Sequence, residues 1–231
     1  LLSFGSDFLG TWVSPTRFSR GFGHFRQGVN GGRSKSADGK VDGRGTFIQV
    51  EPRLSHTAAN ADMWIPIKPG MEGALAMSLA YVIIVEIMGD NVTSSALSDG
   101  VNMDKYRPEV VADSLGIPKL RDKEPVEVIR NLAHQLVDNS PSLVIGGGPA
   151  AAHTNGLDNM LAIYSLNHLL GTINKKGGII FNPPSSMKEI PTSADVTSFG
   201  EWHNFIDRLR WGRPKPVNMM LVYGTDPVYS S

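Results

Sequence analysis

Short apolar runs recur along the chain, each ended by a turn of Gly, Pro, Ser or Asp, and apolar residues return every three or four positions in the longer stretches between them. The short runs cover residues 1–4, 46–50, 63–67, 142–145, 179–182 and 217–223 and read as strands. A long apolar helix is predicted over 71–87 and a short one over 107–115, closed by Gly116. Residues 124–137 are amphipathic, with Val126, Ile129, Leu132, Ala133 and Leu136 on one face and Pro125 in the first turn. Further helices fall at 159–170, ended by Gly171, and at 202–211. Over 11–25 the aromatics Trp12, Phe18, Phe22 and Phe25 alternate with Arg17 and Arg20, a spacing that suits a helix packed on a sheet. Residues 27–45 are rich in Gly, Ser, Lys and Asp and predict a mobile loop; 91–106 and 183–200 are polar and irregular. Strands alternating with helices predict an α/β chain with parallel strands. A change of composition over 99–123 marks the best boundary, giving domains 1–115 and 116–231, and no solenoid repeat is visible.

Composition narrows the function classes. The 231 residues carry 22 basic and 22 acidic side chains, so no net charge draws the chain to nucleic acid. With no cysteine, it holds no disulfide, thiolate zinc site or cysteine-ligated iron–sulfur cluster. The longest apolar run, 73–88, is shorter than the roughly 20 residues of a membrane span. Glu86 interrupts it, so it predicts a buried helix rather than a span. The chain opens on Leu1 and stops after a strand-turn signal, and so reads as an interior piece of a longer polypeptide with no signal peptide visible.

The candidate chemistry lies at strand ends. Glu51-Pro52-Arg53 follows the strand at 46–50, and Asp62 follows a polar loop. A carboxylate there can accept from a ribose or a guanine edge, and an arginine fork can hold a phosphate. The same three charged groups could instead pair with one another or with helix ends. Pro69-Gly70 opens the long helix, with Glu72 in its first turn, where an acid also simply complements the helix dipole. Gly5-Ser6-Asp7, Gly146-Gly147-Gly148 and Gly224-Thr225-Asp226-Pro227 are exits that let backbone approach a phosphate, although such turns need glycine in any case. Ala151 stands where a G-x-G-x-x-G fingerprint would end in glycine, which argues against a nicotinamide or flavin enzyme. No histidine pair has zinc-like spacing; His153, just past the triple glycine, is the one placed near a candidate site. No G-x-S-x-G elbow or Walker A loop is present.

As an ordered set these pieces resemble the molybdopterin oxidoreductase superfamily of the dimethyl sulfoxide reductase type. Its G-x-N-P, D-P-R, A-D and W-x-P-I-R-P-G-T-D signatures stand here as FGSDF, VEPR, NAD and MWIPIKPGME. Its later G-G-G, H-x-x-G and L-N-x-L-x-G signatures stand as LVIGGGPAAAHTNG and SLNHLLGTINKKGG, and its last strand exit as YGTDP. The resemblance implies Rossmann-like open parallel sheets flanked by helices, with 1–115 as a first dinucleotide-binding-like domain and 116–231 as part of a second. It also implies pterin-dinucleotide positions at Gly5, Ser6, Asp7, Glu51, Arg53, Asp62, Gly70, Glu72, Gly147, His153, Gly224 and Asp226. Four of these depart from the family pattern: Asp7 and Asp226 replace asparagine, and Glu51 and Glu72 replace aspartate. An aspartate beside a pyrophosphate adds like-charge repulsion where asparagine would donate. FGSDFLGTWVSP, FIQVEPRLSHTAANADMWIPI and LVYGTDPVYS are similar to the iron–sulfur subunit of alternative complex III, a bacterial quinol:electron acceptor oxidoreductase. That subgroup implies a segment with no cofactor or catalytic centre of its own, iron–sulfur clusters elsewhere in the parent chain, and cytochrome c and quinol-binding integral membrane subunits as partners. It implies an extrinsic position on the periplasmic face of a bacterial membrane complex. The alternative is the catalytic subunit of a molybdenum bis-pterin-guanine-dinucleotide reductase of the polysulfide or tetrathionate type.

Overall fold

The computed structural model describes residues 1–28, 43–89, 103–183, 197–212, 217–224 and 226. They fall into two compact units, Leu1–Phe181 and Asn182–Ser231. The first is built on four short strands, β1 (Leu2–Phe4), β2 (Ile48–Val50), β3 (Met63–Ile65) and β4 (Val144–Gly146). All are parallel, in the order β3-β2-β1-β4, with Leu2 opposite both Ile48 and Val144. The sheet therefore draws strands from both sides of residue 115.

Among the described residues six α-helices accompany the sheet in the first unit, α1 (Pro15–Gln27), α2 (His56–Ala59), α3 (Glu72–Tyr81), α4 (Pro108–Leu115), α5 (Pro125–Asp138) and α6 (Gly156–Leu169), and the second unit holds α7 (Phe199–Trp211). Each of α1, α4 and α5 has proline in its first turn, where the missing N–H costs nothing. The apolar run after α3 continues as a π-helical turn, Val82–Met88. Its one acid, Glu86, is held by a two-pronged ion pair from Arg130 of α5, at 2.8 and 3.0 Å, and the same guanidinium reaches Glu109 of α4. No helix among the described residues is long and apolar enough to cross a membrane.

One face of the sheet, through Leu2, Phe4, Ile48, Val50, Ile65 and Val144, joins α3, α4, α5 and α6 in a single apolar core. Ser3 and Gln49, which alternate with these residues, are also fully buried, as expected of a parallel sheet covered on both faces. Beside α1 a separate aromatic cluster forms, with Phe8, Phe22 and Phe47 meeting at centroid distances of 5.4–5.9 Å.

The outer edge of β4 is closed by side chains rather than by a fifth strand. Asn167 of α6 accepts from the Val144 N–H at 2.9 Å and donates to the Val144 carbonyl at 2.7 Å, and the Tyr164 hydroxyl donates to the Gly146 carbonyl at 3.2 Å. An amide side chain here satisfies the two backbone groups that another strand would have paired.

Several expected elements differ. Residues 179–182 contribute only a single bridge, Ile173 with Ile179. The run at 217–223 forms no ladder, and Met219, Leu221 and Tyr223 are exposed. The polar loop after β2 contains α2, capped by the Ser55 hydroxyl accepting from the Ala58 N–H. Most of the loop expected at 27–45, and most of those at 91–106 and 183–200, lies outside the described residues. In the second unit α7 starts with a reciprocal capping box between Ser198 and Glu201.

Candidate functional site

Parallel strands run in one direction, so all four exits meet on one edge. β1 leaves through Gly5-Ser6-Asp7, β2 through Glu51-Pro52-Arg53, β3 through 66–71 into α3, and β4 through Gly147-Gly148. The winding reverses between β1 and β4, the point at which an open sheet leaves a crevice for a ligand. Here the two exits press together. Gly5 and Gly148 have φ of 67° and 52°, in the left-handed region that glycine tolerates best. A Cβ on Gly5 would stand 2.8 Å from the Gly147 carbonyl oxygen and 3.1 Å from Pro149 Cδ. Ser6 lies fully buried beside them, with no partner for its hydroxyl.

The acids of the two central exits are engaged within the chain. Asp7 takes the Thr57 hydroxyl of α2 on its carboxylate, and its main-chain carbonyl accepts the Thr11 N–H at 2.9 Å. The Thr57 oxygen also accepts the Leu9 N–H at 3.3 Å, sewing the β1 exit to the β2 exit. Glu51 is 1% exposed. One carboxylate oxygen accepts from Gln49 Nε2 at 3.1 Å, the other from the Ser55 N–H at 2.9 Å, and its carbonyl accepts from Trp64 Nε1 at 3.0 Å. Arg53 is exposed.

A third group forms where α3 begins. The Asn155 amide donates to the Gly70 carbonyl at 2.8 Å; Asn159 accepts the Gly73 N–H at 3.1 Å and donates to the Ala150 carbonyl at 3.1 Å. Two asparagines one helical turn apart on α6 thus pin the β3 exit against the β4 exit. Glu72 is fully enclosed there, and neither carboxylate oxygen has a hydrogen-bond partner. Burial pushes its pKa up; the nearby Glu72 and Gly70 main-chain N–H groups and the exposed His153 ring offset the shift in part.

Asp62 is not on this edge. It precedes β3 and sits at the amino-terminal side of the sheet, where the Arg26 fork grips it, with Nη2 at 2.7 Å, alongside Arg44 at 2.9 Å and the Phe47 N–H at 2.8 Å. Burial would raise its pKa, but the Arg26 and Phe47 hydrogen bonds and the Arg44 contact outweigh it and hold the carboxyl well below the usual range. Its work is to fasten α1 and the approach to β2 onto β3. Gly224 and Asp226 belong to the second unit.

The first-unit positions named in the sequence therefore divide into three. Gly5, Ser6, Asp7, Glu51, Arg53 and Gly147 gather at the exits of β1, β2 and β4; Gly70, Glu72 and His153 gather at the start of α3; Asp62 stands apart. Thr57, Ser55, Asn155 and Asn159, which hold these groups, were not singled out from the sequence. The Asn155–Asn159 spacing at the head of a helix was the available signal. Among the described residues no cluster of three or more His, Asp or Glu could hold a metal ion.

Comparison with known proteins agrees with this architecture. The description "Molybdopterin oxidoreductase" matches residues 35–224. The whole chain is 28% identical to 30% of the menaquinone reductase molybdopterin-binding-like subunit of Nitratidesulfovibrio vulgaris. Over 71% of the chain, it is also 29% identical to 22% of the arsenate respiratory reductase molybdopterin-containing subunit of Chrysiogenes arsenatis. Acetylene hydratase from Pelobacter acetylenicus shares the fold over 74% of this chain and 21% of its own, with a TM-score of 0.51 at 19% identity. The chain thus spans less than a third of the length of these relatives.

Proposed function

The chain belongs to the molybdopterin oxidoreductase family, and we propose that it forms part of a cofactor-less, molybdopterin-like half of a quinone-linked oxidoreductase subunit, of the alternative complex III kind. In this reading its work is structural: it supports a cluster-bearing half and partner subunits of an extrinsic, periplasm-facing complex, through which electrons pass from quinol to cytochromes. The relative matched over the whole chain, named a molybdopterin-binding-like subunit of a menaquinone reductase, supports a quinone-linked setting.

The observation that carries the cofactor-less reading is Glu51. A gripping carboxylate must offer its oxygens to the ligand, yet this one is 1% exposed and both oxygens are taken by Gln49 and Ser55. The family implies a pterin guanine dinucleotide bearing molybdenum or tungsten, and the side chains at the matching positions do not fit it. Asp7 is committed to Thr57, Ser6 is buried, and the backbones of Gly5 and Gly148 pack closely against each other at the switch point. The unpartnered Glu72 is what favours the alternative, a working molybdenum reductase, because its oxygens lack donors that a guanine edge would provide. Its complete enclosure weighs against this, since a ligand could reach it only by parting α3 from α6.

Metal and pterin analysis of the purified parent complex tests the reading. The expected result is iron without stoichiometric molybdenum, tungsten or pterin; one metal and two pterins per subunit would overturn it.

A further inference from the structure

A cleft of about 440 Å³ opens beside α1, on the sheet face over β4. Phe8, Trp12, Phe18 and Phe22 wall one side, and Leu143 and Ile145 the other. Trp12 and Phe18 stand edge to face at 5.4 Å, so the wall is a fixed aromatic surface. Along α1, Phe18, Gly21, Phe22 and Phe25 share one face at helical spacing, and Gly21 is a notch in it, where an added Cβ would meet nothing within 4 Å. The volume suits a small group of apolar side chains.

The charge around this cleft is one-sided. In a chain of 22 cations and 22 anions, no acid occurs from Phe8 to Gly28, while Arg17, Arg20 and Arg26 do. Arg26 is neutralised by Asp62. Arg17 lines the cleft, Arg20 lies one turn along the helix, and both are exposed without an ion pair among the described residues. An apolar slot with a cationic rim is complementary to an apolar anchor flanked by carboxylates.

We propose that this cleft is a docking site for an acidic polypeptide segment of a partner subunit, which inserts an aliphatic or aromatic side chain into the slot and sets its carboxylates against Arg17 and Arg20. Nucleic acid would meet the same cations, but the neutral chain and the single helix of uncompensated charge give it no extended basic track. The inference is independent of whether a pterin is bound.

The test uses the full-length protein purified with its native partners. A photo-reactive benzoylphenylalanine at Val13, which is 97% exposed beside Trp12, is irradiated and the joined peptide is sequenced by mass spectrometry. The expected product is one peptide from another subunit, with two or more acids flanking an apolar side chain. Gly21→Leu fills the notch without touching the fold and is expected to cut the yield by about tenfold, as loss of a central anchor does. Arg17→Glu with Arg20→Glu is expected to do the same, while Arg17→Lys with Arg20→Lys retains the product. A product with lipid, nucleic acid or a segment lacking acids, no product at all, or a yield indifferent to Gly21→Leu and to charge reversal overturns the proposal.

Discussion

Replacing Glu72 by methionine is expected to stabilise the protein. The carboxylate is wholly enclosed at the first position of α3, and neither oxygen has a partner. A buried polar group left unsatisfied costs about 1–3 kcal/mol, and more when charged. Against this, an acid at a helix N-terminus contributes about 0.3–1 kcal/mol, which methionine forfeits. Methionine matches the length and has no polar atom to satisfy, so the net gain is about 1–2 kcal/mol, or a rise of roughly 2–8 °C in Tm for a unit of this size. The pH dependence supplies the stricter check. Burial raises the folded-state pKa above its ordinary value, so the unfolded chain loses its proton first. The pH-dependent part of the wild-type penalty is therefore absent below about pH 4, grows as pH rises, and levels off above the raised folded value, while the neutral carboxyl still lacks partners throughout. Thermal unfolding followed by circular dichroism should show Glu72→Met ahead at pH 7, with the gap narrowing toward pH 4. A Glu72→Met protein less stable at pH 7, or a gap independent of pH, would refute the reasoning and mark Glu72 as partnered.

Two further outcomes follow from the same contacts. Asn167→Ala removes the amide that pairs with both backbone groups of Val144 and is expected to cost about 2–4 kcal/mol, read as a fall in the urea midpoint; Asn167→Asp, which sets a buried carboxylate oxygen against the Val144 carbonyl, should fall at least as far. Asp62, whose folded pKa is depressed, contributes stability that is present above its unfolded value near pH 3.9 and is lost as pH falls through the folded value. Acid melts of the wild type should therefore decline more steeply below pH 4 than those of Asp62→Asn, which starts lower at pH 7 and runs flatter.

The frame of the fold was legible because its signals are local. Each strand of the sheet was read within two residues at either end, since an apolar run broken by glycine or proline needs no tertiary partner to be recognised. Proline starts at 108 and 125 and the Gly116 stop placed α4 and α5 for the same reason. What escaped was partnership across distance. Asp62 looked like a ligand-binding acid because it follows a loop rich in polar residues. Its real setting depends on Arg26, far back in the sequence, and on the fact that it precedes rather than follows its strand. The run at 217–223 has the composition of a strand, but composition cannot supply a partner strand, and the run forms no ladder. Glu86 seemed only to interrupt an apolar helix, whereas Arg130 and Glu109 give it a salt-bridged place at the end of the core.

The strand exits carry the argument about function furthest. A sheet edge that binds a dinucleotide must keep N–H groups, carbonyls and acids uncommitted for it, and every such group left buried without the ligand has a cost. An edge that holds itself together instead must satisfy those groups from its own chain. Here the Thr57 hydroxyl meets Asp7, the Ser55 N–H and Gln49 amide meet Glu51, and Asn155 and Asn159 meet Gly70 and Gly73. Three of the four exits are thereby tied to a neighbour, and the fourth, at β4, packs against Gly5. On the scaffold reading these contacts stand where the ligand's would be, which explains how the frame of a dinucleotide site can persist without its occupant. Glu72, with the Ser6 hydroxyl, marks where that exchange is incomplete: their oxygens are enclosed but unanswered. The stability of Glu72→Met reports whether the chain itself partners this carboxylate, and the pterin content of the complex reports whether a ligand does, so the two measurements answer different halves of the question.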